Sequence, residues 1–178
     1  MSLLIRKMEP GDIAEVLALL RNFAEYEKLS EYCTATADRF RVALFGDGAV
    51  VQGLVAHSGD VLAGYALFYP NFSSFRAELG MYLEDIYLRP EYQGGGNGKA
   101  MVQEIARIAA DRGFERIDFQ VLDWNTPAIE FYKKLGAVSN DEETHFKFSG
   151  DAFATLASRS KSRSEIKDFG LAPTEPKS

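Results

Sequence analysis

Four glycines fall within five residues of the stretch "YLEDIYLRPEYQGGGNGKAMVQEIARIA", residues 82–109. They stand where an apolar run ends and a long amphipathic pattern begins. The apolar run reads as a strand, and Val102, Ile105 and Ala109 recur at helical spacing after the glycines. One glycine is enough for a plain strand-to-helix turn. Four of them imply a backbone that turns freely and lets another group approach its N–H donors with no Cβ in the way. The following helix adds its positive N-terminal end, so the segment is suited to oxygens of a pyrophosphate.

Two common glycine motifs fail here. A P-loop needs Gly-x-x-x-x-Gly-Lys-Ser/Thr, but Gly98-Lys99 is followed by Ala100 and Gln93 stands where the first glycine belongs. A dinucleotide fingerprint needs Gly-x-Gly-x-x-Gly; Gly94 and Gly96 begin it and Lys99 breaks it. That motif also belongs to an early strand, whereas this one lies mid-chain. The pattern that fits is Gln/Arg-x-x-Gly-x-Gly/Ala, read over Gln93-Gly94-Gly95-Gly96-Asn97-Gly98.

Around this segment the chain alternates between element types. "LLIRKM" reads as a short strand, and Pro10-Gly11-Asp12 opens a helix with Asp12 as its N-cap. Ile13, Val16, Leu17, Leu20 and Phe23 mark the buried stripe of that helix. A shorter helix is predicted over residues 38–44. "AVVQGLVAH" and "VLAGYALFYP" are strands joined at Ser58-Gly59-Asp60, a hairpin signal. "NFSSFRAEL" reads as a loop and "GMYLEDIYL" as the next strand. A helix over 99–112 stops at Gly113, "ERIDFQVL" is a strand, and Asn125-Thr126-Pro127 opens a helix that ends at Leu135-Gly136. "THFKFSG" is the last predicted strand. Strands in succession, followed by strand–helix–strand–helix, indicate a mixed α/β sheet. From Ser158 to Ser178 the chain turns polar, and its composition predicts disorder, with packing on a partner as the alternative.

Composition narrows the partners. A chain of 178 residues is long enough for one domain with a sizeable core. Its net charge of −6 argues against general nucleic-acid binding and is compatible with a cationic substrate. Cys33 is the single cysteine, which excludes an internal disulfide, and His57 and His145 lack metal-ligand spacing, so no metal is expected. No apolar run reaches membrane-spanning length and the N-terminus does not read as a signal peptide. A cytoplasmic protein is expected.

The glycine pattern, joined to "YLEDIYLRPEYQGGGNGKA" and then "VLDWNTPAIEFYKKLGA", resembles the GNAT superfamily of acetyl-CoA-dependent N-acetyltransferases. Within it, those two stretches and "YEKLSE" resemble the diamine (spermidine/spermine) acetyltransferase branch. The likeness covers roughly residues 3–157, so one GNAT domain over 1–157 and a polar tail over 158–178 are expected. It implies a mixed, mostly antiparallel sheet flanked by helices, with a V-shaped opening at "YLEDIYL".

The resemblance also assigns roles. Ile86, Tyr87 and Leu88 would pair through their backbone with the pantetheine arm of acetyl-CoA. Gln93, Gly94, Gly95, Gly96, Asn97, Gly98 and Lys99 would hold its pyrophosphate; Gln93 stands where many relatives have Arg. Lys133 and Lys134 either help neutralise phosphate or form a solvated helix face. Tyr132 would act as general acid toward the thiolate, although Ile129, Tyr132 and Leu135 also make a core stripe. Glu84 and Asp85 would hold the amine or draw its proton away. As neighbours on a strand they are expected on opposite faces, with Glu84 favoured as the functional one. Asn125 would cap the helix after it and touch the coenzyme. Tyr26, Glu27, Asp118 and Gln120 would line the substrate's path. The chain departs from the animal polyamine enzymes in having no tryptophan before the last predicted strand; Trp124 is its only one. The substrate implied is a diamine, a polyamine or a lysine-like amino acid of the thialysine type. Another small amine or a protein amino group is the alternative among enzymes, and an acetyl-CoA sensor is the alternative outside them. A homodimer is expected from the family.

Overall fold

The computed structural model describes residues 3–140 and 144–159. The chain divides into two compact units, residues 1–125 and 126–178, which are described separately.

The first unit is built on five strands in the order β1-β2-β3-β4-β5. These are β1 (Leu4–Lys7), β2 (Gln52–Ser58), β3 (Val61–Ser73), β4 (Glu78–Leu88) and β5 (Ile117–Asp118). The first four pair antiparallel in sequence, and β5 joins β4 in parallel. The parallel step needs a crossover, which helix α3 (Asn97–Ala110) supplies. Helix α1 (Ile13–Tyr26) and helix α2 (Ala37–Phe45) precede β2.

Strand alternation sorts the core onto the two faces of the sheet. Leu54, Ala56, Ala66, Phe68, Met81, Leu83 and Leu88 pack against Met101, Ile105 and Ala109 of α3. Val55, Leu62, Tyr65, Leu67 and Tyr87 pack on the other face with Val16 and Leu19 of α1. Full burial of each such side chain contributes about 1.5–3 kcal/mol, so the two layers supply most of the hydrophobic stabilisation.

Several expectations are corrected. Asp12 stands at the start of α1, but its carboxylate makes no cap bond; it takes both Arg6 nitrogens at 2.7 Å and the Glu9 N–H. It therefore ties β1 to the helix entrance. Leu19 and Ala24 are buried in α1, while Leu20 and Phe23 lie half-buried at the edge of the core. Most of the predicted loop 71–79 is strand, because the β3–β4 ladder runs on to the pair Ser73↔Glu78. The predicted strand 115–122 keeps only Ile117–Asp118, since its pairing with β4 ends at Tyr82↔Asp118. Gly113, at φ +75°, does end the crossover segment as expected.

In the second unit, helix α4 (Thr126–Lys134) forms as predicted and Gly136 follows at φ +95°. The predicted strand 144–150 is absent: 144–149 form no ladder, and Phe146 and Phe148 are exposed. Helix α5 (Gly150–Arg159) is not among the predicted elements, although Phe153, Leu156 and Ala157 carry helical spacing. The rest of the polar tail, from 160 on, lies outside the described residues. No helix among the described residues is long and apolar enough to cross a membrane.

Candidate active site

The glycine loop takes a backbone path open to few other residues. Gly94, Gly95 and Gly96 all have positive φ, at +79°, +56° and +86°. A side chain in that region costs about 1–2 kcal/mol per residue, so three in a row select glycine. No atom lies within 4 Å of the place a Cβ would occupy at any of the three, so the space before the loop is open. Gly96 is the N-cap of α3 and offers no side-chain bond to the first turn. Asn97 N–H donates to Gly94 O at 3.1 Å; the next N–H groups of that turn, at Gly98 and Lys99, have no intrahelical acceptor and remain a donor set for an anion.

The loop is braced from behind. Gln93 Nε2 donates to Leu88 O at 2.9 Å, and Asn97 Nδ2 donates to Tyr92 O at 2.9 Å. Gln93 and Asn97 thus spend their amides on the loop itself, so the backbone is left as the anion-facing surface. Lys99 is exposed beside it. This arrangement fits the pyrophosphate of a coenzyme A on the grounds of donor geometry and free space.

Strand β4 opens just upstream. It pairs with β5 only at Met81↔Ile117 and Tyr82↔Asp118. Beyond Tyr82 no strand among the described residues pairs with that edge, which leaves Ile86 and Tyr87 paired on the β3 side alone, while Leu88 O also accepts from Gln93 Nε2. This is the opening that the resemblance to the GNAT superfamily implies.

The register with β3 shifts at the same place. Leu67 stands opposite Asp85 and Phe68 opposite Leu83, so Glu84 has no partner across the ladder. That is a bulge, and it breaks the alternation of side chains. Glu84 and Asp85 consequently do not point to opposite faces, as two neighbours on a regular strand would. Both line one cavity of about 380 Å³, together with Leu20, Phe40, Ala43, Leu44, Val51, Leu67 and Tyr69. Its lining carries two carboxylates and no Lys or Arg.

The two acids differ in surroundings. Glu84 is exposed and accepts a hydrogen bond from Tyr69 Oη at 2.9 Å, while the Tyr69 ring stacks on Tyr82 at 5.2 Å. Asp85 is recessed. Burial first, then repulsion from Glu84 and Glu27, pushes its pKa up to about 7. Glu27 is itself raised by burial. The structure thus couples Glu27, Glu84 and Asp85 electrostatically.

The other expected residues are placed as follows. Tyr26 Oη donates to Oδ1 of the buried Asn125 at 3.2 Å, and its ring lies 5.7 Å from that of Trp124. Asn125 is thereby joined to the end of α1, a link no sequence spacing announces. Asp118 accepts from Arg116 Nε and Asn71 Nδ2, each at 2.7 Å, so its charge is met locally. Gln120 is exposed, two residues past the end of β5. In the second unit, Tyr132 is buried in α4 with its ring 5.0 Å from Phe131, and burial pushes its pKa up to about 12. Lys133 and Lys134 are exposed at the end of the same helix. Tyr65 and Tyr69 are not singled out by the sequence, which places them only within the strand "VLAGYALFYP". Their available signal was a polar tip on each of two aromatics on the strand paired with the acids.

Comparisons with known proteins agree with this geometry. A model of the acetyltransferase (GNAT) family matches residues 14–137. A thialysine N-epsilon-acetyltransferase from Sus scrofa is 37% identical over 89% of this chain and 99% of its own length. An L-ornithine N5-acetyltransferase from Arabidopsis thaliana is 40% identical over 54% of this chain and 42% of its own. Among solved structures, an integron cassette protein from V. cholerae superposes with a TM-score of 0.74 at 22% identity, covering 88% of this chain and 98% of that one. That last likeness speaks to fold alone.

Proposed function

The chain belongs to the acetyltransferase (GNAT) family, whose members use acetyl-CoA, and from that premise we propose that it acetylates a primary amine of a small molecule by direct attack in a ternary complex. The substrate class is a polyamine, a diamine or a lysine-like amino acid such as thialysine. The observation that carries this reading is the pair Glu84 and Asp85, turned by the bulge into one cavity beside the open edge of β4.

An alkylammonium of pKa about 10.4 needs a counter-charge to bind and a proton acceptor to react. Glu84, held by Tyr69, suits the first task. Asp85 suits the second, because its pKa near 7 lies closer to that of the amine. This shifts the proton-accepting role from Glu84, which the sequence favours, to its neighbour. The apolar lining from Leu20, Phe40 and Leu44 fits a methylene stem behind the ammonium. Any carboxylate on the substrate would then lie outside the cavity.

On the coenzyme side, Ile86, Tyr87 and Leu88 offer backbone groups to the pantetheine arm, and the Gly94–Gly96 turn with the start of α3 offers N–H donors to the pyrophosphate. Acetyl-CoA supplies an activated thioester whose carbonyl takes the amine's attack. Tyr132 is proposed to protonate the departing thiolate, a role that rests on the family likeness; its raised pKa keeps the phenol protonated and ready to donate. Tyr26, Glu27, Asn125, Asp118 and Gln120 complete the proposed site, with Asp118 tied to Arg116 and so acting through shape more than charge. One catalytic domain over 1–157 with a tail over 158–178, a homodimeric state and a cytoplasmic location belong to the same proposal.

The test is thiol release from acetyl-CoA in the presence of spermidine, spermine, putrescine, lysine, thialysine and an aminoglycoside, with Tyr132→Phe as control. Turnover on one of the first five that falls sharply in the variant is the expected result. Turnover on the aminoglycoside alone would move the substrate to another amine class. Coenzyme binding with no turnover on any amine would leave an acetyl-CoA sensor.

A further inference from the structure

Among the described residues, one buried side-chain polar atom has no hydrogen-bond partner, the Tyr65 hydroxyl. Tyr65 sits on β3 at 0% exposure, paired across the ladder with Tyr87. A buried hydroxyl left unpaired lowers stability, and phenylalanine would fill the same space without that loss. The hydroxyl lies close enough to Asp85 to act on its carboxyl as a donor, holding its pKa below what burial alone would give, yet it misses the geometry of a full hydrogen bond in this conformation.

We propose that Tyr65 is a positioning residue for acetyl transfer: its hydroxyl is held in reserve to donate to the ionised carboxylate of Asp85 and aim it into the cavity when the substrate ammonium arrives. The inference rests on the acetyl-transfer reading for its catalytic consequence, but not for the contact itself. Its grounds are geometric. The bulge at Glu84 turns Asp85 into the cavity, and β3 places Tyr65 behind it on the same face of the sheet, among Val55, Leu62, Leu67 and Tyr87. The titratable groups that bear on the pair are Glu84 and Tyr87 on β4, Tyr69 on β3, Glu27 at the end of α1 and Cys33 before α2. Helix α2 lines the cavity with Phe40, Ala43 and Leu44, none of which titrates. The neighbouring carboxylates disfavour a second negative charge at Asp85. A neutral donor behind Asp85 stabilises that charge without competing for the substrate's ammonium.

The decisive experiment is a carboxyl-carbon NMR titration of full-length wild type and Tyr65→Phe, with Asp85→Asn used to assign the signal. A hydrogen bond to the ionised form lowers a carboxyl pKa, so its removal raises it. Asp85 is expected to titrate about one pH unit higher in Tyr65→Phe. The acid limb of kcat/KM is expected to move with it, giving a loss of nearly tenfold at pH about 6.5 that fades by pH about 9. A merely structural tyrosine would lower activity at all pH values and leave the titration where it was. An unchanged Asp85 titration in Tyr65→Phe overturns the proposal. If that variant does not fold, the Tyr65 ring-carbon signal of wild type must shift in step with the Asp85 titration; a signal that stays flat overturns it equally. A wild type inactive toward every amine would remove the acetyl-transfer reading, while the titration would still decide the contact.

Discussion

Replacing Asp85 by asparagine separates what this residue does for the site from what it does to the fold. Its carboxyl is raised from the ordinary 3.8 to about 7, by burial first and by Glu84 and Glu27 after it. The folded state therefore binds this proton more tightly than the unfolded chain. That contribution is fully present below pH about 4, is lost as pH rises through about 7, and is absent above. Three pH units at about 1.4 kcal/mol each give about 4 kcal/mol as an upper figure for the change. Relaxation around the three acids reduces it, and about 2 kcal/mol is a realistic floor for so recessed a group. Asp85→Asn removes the titration. Urea unfolding of both proteins across pH about 4.5 to 8.5 should show the variant gaining on wild type as pH rises and levelling off above about 7. Any fixed offset from the asparagine amide is constant with pH and drops out of the comparison. Amine acetylation should fall at least a hundredfold in the same variant, the usual scale for a lost general base. A stability difference that stays flat with pH would show that ionising Asp85 carries no folding cost, and the assignment of the acceptor would go with it.

Three other perturbations probe different parts of the site. Gly96→Ala forces a side chain into φ +86°; the cost of about 1–2 kcal/mol should appear as a loss of about tenfold in calorimetric acetyl-CoA affinity, with little change in the KM of the amine. Gly64→Ala would set its Cβ against the backbone oxygen of Tyr87 and within 2.6 Å of Leu88 Cδ2. That forces the proposed pantetheine-binding stretch of β4 to move, so stability should fall by about 1–3 kcal/mol and the KM for acetyl-CoA should rise; an unchanged KM would detach those residues from the coenzyme. Tyr69→Phe removes the bond that fixes Glu84. The amine KM should rise while kcat changes little, and a fall in kcat alone would assign Glu84 to the chemistry itself.

Local signals carried most of the fold. Gly94, Gly95 and Gly96 are legible because a backbone at positive φ excludes other residues whatever surrounds it. The apolar stripes of α1 and α3, the Gly59 hairpin and the stop at Gly113 are likewise set by neighbours in the chain. The glycine pattern and the acids "ED" mark the region of the site in the sequence alone. The strand errors share a cause: each strand whose bounds differ depends on a partner strand. The reach of β3 to Ser73 and the shortness of β5 follow from where the ladder to β4 continues or ends. The stretch 144–149, strand-like in composition, has no ladder among the described residues.

The bulge is the sharpest case. The sequence fixes that Glu84 and Asp85 are adjacent and acidic, and a regular strand would send them apart. One extra residue in the pairing of β4 with β3 turns both into the same cavity, where burial first and proximity to Glu84 and Glu27 after it raise the proton affinity of Asp85. The same pairing brings Tyr65, far away in the chain, within reach of Asp85. Residue types and local backbone preferences are properties of the chain alone. Which charges share a cavity, and at what pKa, depends on register and burial, and these exist only once the sheet has formed.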